Sequence, residues 1–249
     1  MMNTPSSTPA PAKTPTSTQQ TVPLLKAEGI RKSFFKGGVE IPVVRGVDLT
    51  IQTGEMIAIT GASGVGKSTL LHILGTLESP TGGKVYFGPN QQEIFKYSEK
   101  ALSVFRNRAL GFVFQFHYLL PEFTALENVM MPALIAGHAR GAAEKQAKDL
   151  LNFVGLGHRL THRPTELSGG EQQRVSIARS VILRPKLLLA DELTGNLDSA
   201  NSAMVMDLLV KLNGATGVSI LLVTHDLGLA KQMNRVLTMK DGVFVSNSV

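Results

Sequence analysis

The sequence predicts an α/β fold, a sheet covered on both faces and interrupted by a helical segment, on three observations. The apolar run Met56-Ile57-Ala58-Ile59-Thr60 passes through a glycine-rich turn into Thr69-Leu70-Leu71-His72-Ile73-Leu74, a strand–turn–helix order. Two further apolar runs, 187–190 and 219–224, are continuous rather than alternating, as in strands that bury both faces in a parallel sheet. Between about 116 and 165 helical spacing takes over: Ala147, Leu150, Leu151 and Val154 fall at i, i+3, i+4 and i+7, and Gly155 stops that helix.

Composition narrows the possibilities. The chain has 249 residues, 43% hydrophobic and 18% charged, enough for one large or two small domains with a substantial core. No stretch approaches the roughly 20 apolar residues that span a bilayer, so a membrane role is expected to be peripheral. Cysteine is absent, which excludes disulfides and thiolate metal sites. The net charge of +6 is spread out, with no basic block, 6% aromatic residues and no Trp, so nucleic acid is not expected as a partner.

Taken in order, residues 1–23 are rich in Thr, Ser, Pro and Gln and lack both a core-forming pattern and the apolar region of a signal peptide; they are expected to be a disordered tail. Strand-like runs at 24–34 and 43–52 flank the turn at Lys36-Gly37-Gly38. The second run alternates, with Val43, Arg45, Val47, Leu49 and Ile51 on one face. Pro80-Thr81-Gly82-Gly83 turns into a short strand at 84–87, residues 88–93 are expected to be loop, 98–108 helix, and 110–114 another apolar run. Thr124-Ala125-Leu126-Glu127 has the form of a capping box. A later helix is expected to start after Asp198 as N-cap and end at Gly214. Asp241-Gly242 is a two-residue hairpin signal between strands at 235–240 and 243–247.

The glycine-rich turn carries chemistry. Gly61-Ala62-Ser63-Gly64-Val65-Gly66-Lys67-Ser68, followed by Thr69, places successive backbone N–H groups and a helix N-terminus around an anion. Lys67 can reach the β- and γ-phosphates of a nucleoside triphosphate, and the Ser68 hydroxyl can ligate Mg2+. Downstream, the apolar run 187–190 delivers Asp191 and Glu192. After a phosphate cradle, the first carboxylate suits Mg2+, through water, and the second suits the attacking water. Leu167-Ser168-Gly169-Gly170-Glu171-Gln172-Gln173 opens a second helix N-terminus. One nucleotide's phosphates are already held by the first, so this one suits either the γ-phosphate of ATP on another copy in a head-to-tail dimer or the plain start of a Ser-capped helix. His158 and His162 are spaced i, i+4, but Gly157 and Pro164 break the helix a metal pair would need.

With Thr224-His225-Asp226, these four motifs occur in the order and spacing of ABC-type ATPases, and the chain resembles that family from about residue 24 to 249. The resemblance implies an α/β P-loop NTPase of ABC type: a RecA-like core, an antiparallel β subdomain and a helical subdomain at about 116–165. It implies ATP and Mg2+ as cofactors and Glu192, His225 and Lys67 as the catalytic set. Gln115 is implied to sense Mg2+ and to link core and helical subdomain. Phe34, with Phe35 as competitor, stands where the family stacks an aromatic on adenine. Ser168, Gly169, Gly170 and Glu171 are implied to grip the other protomer's ATP, and Asp198 to lie in the loop that communicates across the dimer. Leu193 stands where the family usually has Pro, and Val65 where Ser is common.

Coiled-coil insertions and tandem cassettes are absent, which excludes the chromosome-organising and translation-factor classes and leaves a transporter subunit. Residues 112–129, 162–171 and 224–231 are most similar to the lipoprotein-releasing type. That type implies a homodimer working with two integral-membrane permease subunits at the cytoplasmic face of a bacterial inner membrane. The macrolide-exporter and cell-division types are the alternatives. Phe116, Tyr118, Leu119, Leu120 and Phe123 offer an apolar surface suited to a short helix of a membrane subunit, or alternatively to packing inside the helical segment.

Overall fold

Two sheets divide the strands. In the computed structural model, which describes residues 22–245, a four-stranded antiparallel sheet has the order β2-β1-β4-β5 and a six-stranded sheet the order β10-β9-β3-β8-β7-β6. The first is built from β1 (Leu25–Lys36), β2 (Val39–Ile51), β4 (Gly82–Phe87) and β5 (Gln92–Glu93). In the second, β3 (Met56–Thr60), β6 (Leu110–Phe114), β7 (Leu187–Asp191), β8 (Ser219–Val223) and β9 (Arg235–Lys240) run parallel. β10 (Val243–Val245) closes the edge antiparallel to β9. The tail expected at 1–23 lies, but for its last two residues, outside the described residues, as do 246–247 of the last predicted strand.

The continuous apolar strands have their reason in the core. Met56 and Ala58 of β3 join one buried cluster, with Leu188, Ala190, Ile220 and Leu222. Ile57 and Ile59 join another, with Leu187, Leu189, Leu221 and Val223. Successive side chains thus enter opposite cores, so no polar face is left to alternate. The first cluster is covered by α3 (Ala125–Ile135), α4 (Arg140–Phe153), α5 (Gly169–Val181) and α6 (Ser199–Thr216). The second is covered by α1 (Lys67–Leu74) and the antiparallel sheet, with α2 (Glu99–Ala109) against its edge. Each fully buried Leu or Ile here contributes about 1.5–3 kcal/mol relative to exposure.

Several local expectations are corrected. β2 begins at Val39, with Pro42 inside it, which an edge strand tolerates because no inner ladder bond is lost. Its alternation is not continuous: Gly46, at φ 94°, bulges out of register, so Val44 is buried before it and Val47, Leu49 and Ile51 after it, while Arg45 is exposed. Residues 92–93, expected as loop, pair with Tyr86 and Phe87 as β5, too short a strand to leave a pattern. α6 passes Gly214 and ends at Thr216, because the left-handed cap falls on Gly217, at φ 69°, whose N–H bonds Asn213.

Other readings hold. Thr124 and Glu127 close the capping box on α3, and Asp198 N-caps α6. Gly155, at φ 76°, follows α4, on which Ala147 and Leu151 are fully buried. Asp241 and Gly242 both take positive φ, 48° and 82°, as a tight hairpin with matching twist requires.

Candidate active site

The C-terminal ends of β3, β7 and β8 carry the chemistry-bearing residues predicted from the sequence, a placement typical of open parallel sheets. Gly61 leaves β3 at φ 146°, and a Cβ there would lie 2.3 Å from the Met239 carbonyl oxygen. Gly66, at φ 104°, is also confined, with 2.7 Å from the Val43 carbonyl oxygen to a hypothetical Cβ. Only glycine lets the 61–66 loop curl tightly between β2 and β9. Gly64, also at positive φ, faces open space, while Val65 tucks against the core.

Lys67 opens α1 and is 5% exposed. Its ammonium is held by the loop, donating to the Gly61 and Ala62 carbonyl oxygens at 3.0 and 2.9 Å. The cation is therefore preorganised inside the turn formed by Ala62, Ser63 and Gly64 rather than free in solvent. Ser68 Oγ donates to Asp191 Oδ1 at 2.9 Å, which brings the end of β7 onto the first turn of α1. Burial raises the Asp191 carboxyl above its ordinary value, partly offset by the Ser68 hydroxyl.

His72, which the sequence reading left without a role, stands with Nε2 3.8 Å from Asp191 Oδ2. Its place one helical turn after Ser68 was the available signal, since residues i and i+4 share a helix face. Glu192 adopts φ 45°, a left-handed conformation uncommon outside glycine. Its N–H is fixed on the Val223 carbonyl and its own carbonyl accepts from Gly195, both at 2.9 Å. Leu193, in the position where proline was expected, is 2% exposed and packs in the first core cluster. Packing thus restrains the backbone beside Glu192 where a proline ring is missing.

Glu192 Oε1 lies 3.5 Å from His225 Nδ1. His225 sits in a turn knotted on both sides: Asp226 N–H donates to Thr224 Oγ1, and Asp226 Oδ1 accepts from Gly228 and Leu229 N–H. Gln115, just after β6, donates through Nε2 to Asn196 Oδ1 at 3.3 Å, and Asn196 returns a bond to the Gln115 carbonyl. Gly195 admits this contact, since a Cβ there would meet Gln115 Nε2 at 2.8 Å. Nothing in the local sequence signalled the Asn196 pairing, which joins residues 81 apart.

The Ser168-Gly169-Gly170-Glu171 segment forms the start of α5. Ser168 Oγ accepts from Glu171 N–H, and Glu171 Oε2 accepts from Ser168 N–H at 2.8 Å, a second capping box. Glu171 also pairs with Arg159 at 3.1 Å. These bonds, the Ser168 N–H first, hold its carboxyl below the ordinary range. Gly170 packs on Asn201, 2.4 Å from Oδ1 to a hypothetical Cβ, so only glycine brings α5 this close to the start of α6. Asp198 spends both carboxylate oxygens locally, on the backbone and side-chain nitrogens of Asn201.

Phe34 is 41% exposed, with Lys32 Nζ 5.1 Å from its ring centroid. Lys32 itself is held by Glu78 and by the Ser79 carbonyl oxygen. Phe35, the competitor, is 72% exposed. Of the apolar surface after Gln115, Phe116, Tyr118, Leu120 and Phe123 are exposed, whereas Leu119 packs against the core.

The family model described as ABC transporter matches residues 44–195, more than half the chain. This chain belongs to the ABC transporter family. Its cassette is an ATPase, binding ATP and hydrolysing it to ADP and phosphate. The cassette is 54% identical over 224 residues to the lipoprotein-releasing system ATP-binding protein LolD of Geobacter metallireducens, covering 90% of this chain and 99% of that protein. It is 51% identical to the protein of the same name from Syntrophus aciditrophicus, with the same coverage. Among solved structures, it is similar to a dimeric post-hydrolysis state of the cassette MJ0796 bound to ADP and Pi, with a TM-score of 0.82 and 37% identity. That similarity covers 89% of this chain and 97% of that one. CbiO1 from Clostridium perfringens gives a TM-score of 0.80 at 28% identity over 90% and 87%.

Proposed function

We propose that this cassette is the ATP-hydrolysing subunit of a transporter that releases lipoproteins from a bacterial inner membrane toward the outer membrane. The observation that carries the reading is the 54% identity, across 99% of its length, to a protein named for lipoprotein release. Two copies act together with two integral-membrane permease subunits, peripherally at the cytoplasmic face. Among the described residues no helix is long and apolar enough to cross a membrane. The exposed aromatic surface at Phe116, Tyr118 and Phe123 supports a docking role for the segment after Gln115.

The Ser68 hydroxyl and Asp191 carboxylate, facing each other at 2.9 Å, form a hard oxygen donor set that fits Mg2+, with the Gln115 side chain as a third donor. A Mg2+ ion held by these residues would supply positive charge against the phosphates of the nucleotide. Lys67 exchanges two loop carbonyls for phosphate oxygens, and the 61–69 backbone cradles the remainder. Glu192 accepts the proton of the attacking water, and its partner His225 steadies the γ-phosphate side of the site. Phe34, braced by Lys32 on one side, stacks on adenine. Ser168, Gly169, Gly170 and Glu171 of one copy close on the ATP of the other, with Asp198 at the junction.

The test is reconstitution with a pair of permease subunits of the lipoprotein-releasing type. ATP is expected to drive transfer of a lipoprotein from proteoliposomes to a soluble acceptor, and an inert mixture with unstimulated ATPase would overturn the assignment. Release of an amphiphilic drug, or activation of a cell-wall hydrolase, would favour the exporter or division alternative.

A further inference from the structure

Two charged side chains are buried among the described residues. One is Lys67, in the glycine-rich loop; the other is Lys32 on β1, 9% exposed. Burying an ammonium is costly unless it is paired and hydrogen-bonded, so such a residue has specific partners. Here they are the Glu78 carboxylate and, at 2.7 Å, the Ser79 carbonyl oxygen, 46 and 47 residues later in the chain. That segment continues α1: the Leu77 and Glu78 N–H groups both donate to the His72 carbonyl oxygen, at 2.9 and 3.3 Å. Lys32 Nζ also lies 5.1 Å from the centroid of the Phe34 ring, two residues along on the same face of β1. Phe34 itself is 41% exposed, so its ring has one side on the ammonium and the rest open.

The strand register sets this pair beside the glycine-rich loop. Lys32 stands opposite Val44 and Phe34 opposite Ile41, and between these pairs β2 carries an extra residue, Val43. The Val43 carbonyl oxygen lies 2.7 Å from the position a Cβ on Gly66 would take. β2 therefore abuts the N-terminal end of α1, while Lys32 grips the segment that leaves its C-terminal end. We propose that Lys32 is a positioning residue for the nucleobase. It ties the Phe34 ring to the far end of the cradle helix, so that base platform and phosphate loop keep one spacing, and it leaves only the opposite ring face for the base. The ammonium draws on the π electrons of the ring, so the negative face of a purine meets less repulsion on the other side. The inference rests on the stacking of Phe34 on adenine proposed above.

Calorimetric titration with MgATP and with magnesium tripolyphosphate, which has the phosphate chain but no base, separates this role from a merely structural one. Lys32→Met keeps most of the stem and removes the charge. It is expected to weaken ATP binding about fivefold, part of what a base gains by stacking on an aromatic ring, and to leave tripolyphosphate binding unchanged. Phe34→Leu should weaken ATP binding about tenfold, and adding Lys32→Met to it should weaken it no further. Equal losses for ATP and tripolyphosphate, unchanged ATP affinity in Lys32→Met, or additive losses in the double variant would each overturn the proposal. If Phe34→Leu binds ATP as wild type does, the stacking reading fails and the proposal falls with it. Should Lys32→Met fold poorly, Glu78→Gln, at a part-exposed carboxylate, takes its place. Loosening one of the two anchors should weaken ATP binding about two- to threefold, the worth of one such ion pair, and unchanged affinity would overturn the proposal.

Discussion

Ser68 Oγ donates to Asp191 Oδ1 at 2.9 Å, joining the first turn of α1 to the end of β7 across 123 residues of sequence. The bond aligns the two oxygen donors expected to face a nucleotide's metal, and it does so at a partly buried carboxylate. That burial has a measurable cost.

Desolvation raises the Asp191 carboxyl above its ordinary value of 3.8. A raised acid favours the protonated form in the fold, so its contribution to stability is fully present below about 3.8 and is lost as pH rises through the folded value. At neutral pH the ionised carboxylate is therefore a local burden. Asp191→Asn is expected to melt higher than wild type at pH 7, with the difference shrinking toward acid pH, while Mg2+-dependent ATPase activity is lost. Melting curves across pH without nucleotide check this, and a lower melting temperature at neutral pH would contradict it.

Glu192→Gln keeps the left-handed turn and the packing of Leu193 but removes the proton acceptor. Turnover is expected to fall by about 10²–10⁴-fold with ATP binding retained. Closed dimers should accumulate with ATP on size-exclusion chromatography. Near-wild-type turnover would remove Glu192 from the role of base.

Two glycines of the cradle should behave differently. Gly66→Ala places a Cβ 2.7 Å from the Val43 carbonyl oxygen at φ 104°, whereas Gly64→Ala meets nothing within 4 Å at φ 79°. Both add backbone strain of about 1–3 kcal/mol, but only the first adds a steric clash. Urea denaturation is expected to rank Gly66→Ala as the less stable, and nucleotide titration to rank it as the weaker binder.

Glu171 lies below its ordinary value of 4.5, chiefly through the Ser168 N–H. A depressed acid contributes stability that is present above the unfolded value and is lost as pH falls through the folded one. Between pH 5 and the acid transition, Glu171→Gln should show a flatter loss of stability than wild type, with a difference at pH 7 of a few tenths to about 1 kcal/mol. Parallel acid melts of the two proteins provide the measurement.

The cradle, Asp191, Glu192, Ser168 and His225 were legible because each belongs to a short run whose chemistry is local: a glycine turn, a strand end, a helix N-terminus. His72, Asn196 and Lys32 were not, because their partners are distant in sequence or are backbone carbonyls that every residue possesses. For Leu119 and Leu120 the sequence left open a surface or a packed position, and the structure packs Leu119 against the core while leaving Leu120 exposed.

By itself the sequence determined the order of most strands and helices, the glycine-rich loop after β3 and the two carboxylates at the end of β7, because hydrophobic period and turn chemistry are set by neighbours in the chain. Only the tertiary structure decided that Gly46 shifts the face of β2, that α6 stops at Gly217, and that Gln115 is held by Asn196. Those outcomes depend on which surfaces meet once the two sheets and their helices pack, and packing partners separated by tens of residues leave no local trace.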